Sequence, residues 1–389
     1  MLGEQALNRR ISSKQYRIIL YFLCVNVQRK TNVECQQQNL NSIKTCRFEC
    51  NMQLKRKTKR LINYVFGPLL FAWLAYAIYR QIQHQPNLSV SWTTIRATLH
   101  QAASWKIYLV ILLMFCHWGI EARKWQILIQ HIEPCSFLNS CRAVLVGLAF
   151  TFITPNRTGE FIGRMLYVHE GHRLRAIAIV IVGAMSQLFV TLCLGLIGVY
   201  VLKQDIVKHT MGVESSPLSL FWFYALMYAF CIIVIILFLL YFKLSWLVRL
   251  VEKIPVARKY VYIVEALDQF RAPELLRILS LSFGRYIIFI VQYILLLQIF
   301  KVDIAIWQTI WILCVFFFTL AIVPSFAVID ELGIRGKASI VLLGIYSANT
   351  LGILATAGGI WLINLFVPAL VGSLFILTKK LFKRKSENI

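Results

Sequence analysis

Long apolar runs, separated by short charged stretches, are the feature that most constrains the fold of this chain. A helix needs about 20 apolar residues to cross the hydrocarbon core of a bilayer. In lipid, only helices and closed barrels satisfy all their backbone hydrogen-bonding groups, and continuous apolar runs favour helices. We therefore predict an all-α polytopic integral membrane protein with about six to eight transmembrane helices. The clearest runs are 61–79, 105–120, 176–202, 220–242, 281–300 and 361–377.

Composition and charge agree with a membrane protein and exclude a nucleic-acid-binding one. The chain is 59% hydrophobic, whereas soluble domains are about 45–50% apolar. Its 41 Lys and Arg against 17 Asp and Glu give a net charge of +24. In a polytopic protein this excess indicates a basic cytoplasmic rim that also attracts anionic lipid headgroups. Basic clusters precede the first run and follow the last, so we predict a bacterial inner-membrane protein with both termini cytoplasmic.

Residues 1–51 do not match the rest of the chain. They are polar and mixed, and their one apolar run, 18–25, is too short to span a membrane. Met52 is followed by a basic cluster and then an apolar run, which is a common start for a bacterial inner-membrane protein. We interpret 1–51 as an extension that is disordered or results from the choice of start site, with Met1 and Met52 both open. Residues 52–389 form a single transmembrane domain.

The first distinctive motif follows an apolar run that is too short to cross. Residues 143–153 give only about eleven largely apolar positions before Pro155, so this limb suits a re-entrant helix. Pro155 and Gly159 would form the turn, and 161–168 would be the returning limb. Arg157, Glu160 and Arg164 follow the break.

A second motif has a related layout. Pro324 ends another apolar limb, and Asp330, Glu331 and Arg335 follow with Gly333 among them. Three predicted spans lie between the motifs, so two re-entrant copies would form an inverted repeat, as in many secondary transporters. Limbs 306–323 and 338–355 could instead be two full spans with this motif in the cytoplasm. Both arrangements leave the C-terminus on the same side.

Both motifs carry chemistry that suits an anionic ligand. A Glu and an Arg four residues apart share a helix face and can pair, and a paired charge costs less in a membrane. A broken helix also presents free N–H groups to an anion, and an arginine grips phosphate with two hydrogen bonds. The alternative is an interfacial loop with a structural ion pair. The predicted substrate-binding residues are Arg157, Glu160, Arg164, Asp330, Glu331 and Arg335, and the predicted turn residues are Pro155, Gly159, Pro324 and Gly333.

Other polar residues in the apolar runs favour packing roles. His117 reads as a packing residue, and Gly195 with Gly198 as a site of close helix packing. Gly358 and Gly359 read as the turn before the last span. The sequence shows no nucleotide-binding loop, zinc-type cysteine pairing or hydrolase motif, so we expect no cofactor and no metal. Gln187, Gln292, Asn349 and Asn364 read as interhelical hydrogen-bonding groups.

The two motifs resemble the membrane domain of lysylphosphatidylglycerol synthases and related stand-alone, flippase-like membrane proteins. The segment from Pro155 to Glu160 matches that family's first motif well, although Arg164 comes one position late. The second motif departs further, because 326–329 replace the glycines usual between the proline and the acid. The resemblance covers roughly 55–380. It implies lipid translocation without the soluble synthetase domain, since the chain stops about a dozen residues after its last run.

The sequence therefore predicts a lipid flippase-like transporter that moves a phospholipid or polyprenyl-linked headgroup, anionic or zwitterionic. The alternative is a membrane-embedded enzyme or accessory factor acting on polyprenyl-phosphate glycolipids, with Asp330 and Glu331 as an acid pair. Enzymatic activity is thus left open, although a transporter is favoured. Membrane lipids are the expected partners, and the oligomeric state is not indicated.

Overall fold

A computed structural model of the chain describes residues 104–151, 154, 158–211, 217–244, 246, 267, 269–323 and 328–378. These residues are helical, with no strand among them, and all belong to one compact unit. The all-α prediction is confirmed for this part of the chain. The extension 1–51 and the first predicted span, 61–79, lie outside it.

Eleven α-helices, one 3₁₀ turn and one π-helical turn make up the described residues. The first half contains α1 Ser104–Ile129, α2 Phe137–Thr151, α3 Gly159–Met165, the 3₁₀ turn Glu170–His172, α4 Arg173–Val201, α5 Lys203–Met211 and α6 Pro217–Phe242. The second half contains α7 Ala272–Ile299, α8 Ile306–Ile322, α9 Val328–Leu343, α10 Thr350–Trp361, the π-helical turn Leu362–Phe366 and α11 Val367–Thr378.

Five of the described segments are long and apolar enough to cross a membrane. They confirm a multi-pass protein, but three of them differ in extent from the predicted runs. Helix α1 continues past Ile120 to Ile129, and α7 starts at Ala272 rather than at 281. The charged residues inside these extensions hid the helix from a search for apolar runs. The five spans are Trp105–Ile129, Arg175–Val201, Leu220–Phe242, Ala272–Ile299 and Thr350–Ile376.

The third difference lies after the second motif. The predicted limb 338–355 is wrong, because α9 ends at Leu343 and α10 begins at Thr350. Asn349 makes this boundary: its Oδ1 accepts from the Gly352 N–H at 2.9 Å, as a helix cap does. The last span therefore begins at Thr350. The turn predicted at Gly358 and Gly359 is also wrong, since both lie inside α10.

The short helices form two hairpins, α2–α3 and α8–α9. Helix contacts place the outer ends of these hairpins at opposite ends of the bundle. At the first end, Glu133 accepts from His169 Nδ1 at 2.8 Å, which joins the α1–α2 loop to the α3–α4 loop. At the other end, Asn349 Nδ2 donates to the carbonyls of Phe300 and Lys301 at 3.1 and 3.0 Å. These are called the Glu133 end and the Asn349 end. The start of α2 and the end of α3 lie at the Glu133 end. The start of α8 and the end of α9 lie at the Asn349 end.

The Asn349 end is fixed by one further, partly buried contact. The Tyr346 hydroxyl donates to Asp205 Oδ2 at 2.5 Å, which ties the α9–α10 turn to α5. Burial, with Asp205 beside it, raises the pKa of Tyr346 above its ordinary value. The phenol therefore stays protonated and keeps this bond. Helices α8 and α9 both return to this end, as a hairpin and two full spans both require, so each arrangement of the second motif stays a prediction.

The order long helix, two short helices, long helix occurs twice, as an inverted repeat requires. Helices α1, α2, α3 and α4 correspond to α7, α8, α9 and the segment from α10 to α11. The two leading helices are antiparallel: Lys106 bonds Gln298 at 3.0 Å, and Arg285 bonds His117 at 3.1 Å. Helix α4 packs on α8, and in the same way α11 packs on α2. This exchange of contacts is what a two-fold relation between the halves produces.

Glycines allow the short helices α2 and α3 to pack with their backbones almost in contact. A Cβ on Gly163 would lie 2.6 Å from the Gly147 nitrogen, so no side chain fits there. Thr154 closes the turn: its hydroxyl accepts from the Gly159 N–H at 2.5 Å and donates to the Phe150 carbonyl at 3.2 Å. Arg164 is carried into the protein interior by this hairpin.

Candidate functional site

A cavity of about 540 Å³ lies between the two repeats. Its walls come from α1, α2, α3 and α4 of the first repeat and from α7, α8, α9, α10 and the π-helical turn of the second. Most of the lining is apolar, with charged groups gathered on α1, α3, α7 and α9. Large apolar pockets with a few convergent polar groups are the usual form of a ligand site.

Glu121 is the centre of a buried ion cluster in this cavity, and its side chain is 3% exposed. Arg164 Nη2, from α3, donates to Glu121 Oε1 at 2.8 Å. Arg285 Nη1, from α7, donates to Glu121 Oε2 at 2.9 Å, and Lys124 Nζ lies 2.8 Å from the same oxygen. Arg164 also pairs with Glu160, which is a quarter exposed. One carboxylate thus joins three elements of the fold.

Aromatic rings lie against both arginines of the cluster. The Arg164 guanidinium carbon is 5.5 Å from the centre of the Trp125 ring, and that of Arg285 is 5.5 Å from the Trp118 ring. Such contacts stabilise a desolvated cation and hold the guanidinium plane in place. The two arginines are therefore positioned before any ligand arrives.

Among the described side chains, the cluster carries more positive than negative charge. Lys124, Arg164 and Arg285 are three cations, whereas Glu121 and Glu160 are two carboxylates. An unbalanced charge at a desolvated site is costly, and an anion would balance it. Arg335, on α9, also lines the cavity. The arrangement can therefore hold an anionic group between the repeats.

The structure brings together part of the predicted site. Glu160, Arg164 and Arg335 line the same cavity, although they come from opposite hairpins. The Asp330 and Glu331 positions fall in the first turn of α9, but their side chains are outside the described part of the chain, as are Arg157, Pro155 and Pro324. Gly159 begins α3, next to the predicted turn. Gly333 lies inside α9 and forms no turn, which corrects its predicted role.

Several cavity residues were missed by sequence reasoning. Glu121 and Lys124 lie just past the predicted run 105–120, and His117, predicted to pack, lies within it. Their spacing carried the signal, since positions i, i+4 and i+7 share one face of a helix. Arg285 stood alone within an apolar run, which is the strongest single indication of function in a membrane helix. The close packing predicted for Gly195 and Gly198 is confirmed, because both abut α8.

No metal site can be assigned to the described residues. They contain no group of three or more His, Cys, Asp or Glu side chains placed to share an ion. The six cysteines seen there are free thiols. The cluster around Glu121 is instead dominated by cations, which repel a metal ion.

Fold and cavity together define a polytopic α-helical membrane protein with an anion-suited site between two short hairpins. The chain belongs to the family described as the lysylphosphatidylglycerol synthase TM region, whose model matches residues 63–372. That family is a membrane domain associated with lipid modification or transport. A search of curated proteins found no match. The family resemblance seen in the two motifs is thus confirmed over most of the chain.

Proposed function

We propose that this protein is a flippase-like lipid transporter that moves a phospholipid or polyprenyl-linked headgroup through the cavity between the repeats. The proposal rests on the buried cluster around Glu121, whose described side chains are three cations and two carboxylates. A phosphate or phosphodiester is the anion that a lipid headgroup offers to such a cluster. Bidentate arginine binding suits that group.

The two hairpins support this proposal by their placement. In a bacterial inner membrane, the Glu133 end would face the cytoplasm and the Asn349 end the opposite side, following the basic loops. Helices α2–α3 and α8–α9 would then re-enter the membrane from opposite faces and meet at the cavity. Irregular backbone at membrane depth is tolerated where it lines such a cavity. A headgroup could thus leave either leaflet while its acyl chains stay in lipid.

The experiment uses the full chain in liposomes with acyl-labelled phosphatidylglycerol, whose headgroup is native. Dithionite quenching from outside reports how fast label leaves the inner leaflet. We expect Arg285→Gln to slow translocation about tenfold or more, because it removes a charge-assisted contact. The matched control is Arg123→Gln, which makes the same change on α1 at a position that is exposed and outside the cavity. It should translocate at the wild-type rate.

Two results would overturn the proposal. One is wild-type protein that moves no lipid faster than empty liposomes; the other is equal rates for Arg285→Gln and wild type. The alternative function, an enzyme acting on polyprenyl-phosphate glycolipids, predicts a different product. Mass spectrometry of liposomes that also contain a polyprenyl-phosphate glycolipid would then show a chemically altered lipid, whereas a transporter returns its substrate unchanged.

A further inference from the structure

Asn364 lies in the cavity wall on the π-helical turn Leu362–Phe366, and it is 4% exposed. Short π-helical turns interrupt the regular hydrogen bonds of a helix and are frequent at functional sites. Here the turn's backbone is held from α1, because Trp118 Nε1 donates to the Asn364 carbonyl at 3.1 Å. The side chain of Asn364 is thereby fixed close to the cation cluster's aromatic support.

A chain of hydrogen bonds determines which way the Asn364 amide points. The Val110 carbonyl can only accept, so Gln292 must present its Nε2 there, at 3.0 Å. The Gln292 Oε1 then faces Asn364 and accepts from its Nδ2 at 3.1 Å. Asn364 Oδ1 is therefore the last polar atom in this chain of hydrogen bonds. It is buried, and no described residue donates to it.

His117 is fixed by the same kind of reasoning. Arg285 Nε can only donate, so His117 Nε2, 3.1 Å away, must accept. In the neutral ring Nδ1 then carries the hydrogen. This N–H is also buried, and no described residue accepts from it. An acceptor and a donor of fixed orientation are therefore buried on two residues that line the cavity beside its cations, and buried groups of this kind demand a partner.

We propose that Asn364 determines specificity by accepting a hydrogen bond from a donor on the lipid headgroup, a hydroxyl or a primary ammonium. The cation cluster would hold the phosphate, and His117 would donate to one of its oxygens. Headgroups with no N–H or O–H donor leave Asn364 Oδ1 unpaired and are disfavoured. This inference rests on the proposed function.

Four acyl-labelled lipids in the same liposome assay test it as two charge-matched pairs. Phosphatidylglycerol has hydroxyls and phosphatidylmethanol has none, and both are anionic. Phosphatidylethanolamine has an ammonium donor and phosphatidylcholine has none, and both are zwitterionic. We expect wild-type protein to move the donor-bearing member of at least one pair about tenfold faster than its partner. The pair that shows the preference identifies hydroxyl or ammonium as the donor.

The variant Asn364→Leu keeps the side-chain size and removes the acceptor. We expect it to lower the rate for the preferred lipid to that of its donor-less partner, whose own rate should not change. The control is Thr356→Val, which removes a buried hydrogen bond to the Gly352 carbonyl in the same span but outside the cavity. It should keep the wild-type preference.

Other results of the lipid assay would overturn this inference. Equal rates within both pairs for wild type overturn this inference and leave the proposed transport intact. The inference also fails if Asn364→Leu slows all four lipids by one factor. Transport of none of the four by wild type overturns this inference and the proposed transport of phospholipids. The wild-type comparison needs no variant, so a failure of Asn364→Leu to fold does not remove the test.

Discussion

At the scale of single residues, Glu121 shows how a carboxylate is kept ionised in an apolar protein. Its two oxygens receive three cationic partners, and no other described carboxylate in the cavity is so buried. Removing one member of a buried ion group is costly, because it leaves the other charges unpaired. The same dependence makes the cluster responsive to an arriving anion, which can take over one or both arginines.

We expect Glu121→Gln to lower the free energy of unfolding by about 3–5 kcal/mol, since Lys124, Arg164 and Arg285 then lose their shared partner. Denaturant or thermal unfolding in detergent measures the change. The control is Asp303→Asn, at an exposed loop position, which should stay within about 0.5 kcal/mol of wild type.

The double variant Glu121→Gln with Lys124→Met sharpens this prediction. It removes one of the cations that the single variant leaves unpaired, so it should be more stable than Glu121→Gln alone. Equal stability of the single and double variants would show that Lys124 does not depend on Glu121. A Glu121→Gln protein as stable as wild type would contradict the cluster's structural role altogether.

At the scale of elements, the hairpin α2–α3 depends on close backbone approach. Gly147, Gly159 and Gly163 each have neighbouring backbone atoms where a Cβ would lie. Helix α3 has only two turns, so it forms because it packs on α2 and not from its own propensity. The position of Arg164, one residue after Gly163, follows directly from this packing.

We expect Gly163→Ala to destabilise the protein by about 1–3 kcal/mol, because the methyl group overpacks the α2–α3 contact. It should also slow lipid translocation by displacing Arg164. Gly284→Ala is the matched control, since Gly284 is inside α7 with open space around it. There the added methyl favours the helix and should raise stability by up to about 1 kcal/mol. The reverse order of the two variants in an unfolding assay would refute the packing argument.

At the scale of the whole molecule, the two repeats share an architecture but not a chemistry. Glu160 and Arg164 correspond in sequence order to Glu331 and Arg335, and by the same offset Glu121 corresponds to Gln292. The first repeat thus supplies a charged centre, and the second an amide bonded to Asn364 at 3.1 Å. The symmetric frame builds an asymmetric cavity, because the carboxylate at the centre of the cluster has an amide as its counterpart in the other repeat.

The inverted repeat predicts that the Glu133 and Asn349 ends lie on opposite faces of the membrane. Single cysteines at Gly171 and Asp303 test this in a background without other cysteines, because both positions are exposed loop sites. A membrane-impermeant maleimide should label Gly171→Cys only from the cytoplasm and Asp303→Cys only from the other side. Labelling of both from one side would exclude the inverted arrangement.

The sequence alone predicts most of the membrane-spanning helices and the short limbs before Pro155 and Pro324. Hydropathy and helix length depend on neighbouring residues, so 176–202 and 220–242 were predicted almost to the residue, and Pro155 marked the first hairpin. Charged residues within helices cut the predicted runs short, at Glu121 in α1 and at Glu274 and Arg277 in α7.

The partners of those charges depend on the tertiary structure. Glu121 meets Arg164 from 43 residues away and Arg285 from 164 residues away, and no local pattern encodes such pairings. Likewise, the orientation of the Asn364 amide follows only from its hydrogen bond to Gln292. Both depend on how the two repeats pack against each other, and it is that packing which turns a set of scattered polar residues into one cavity.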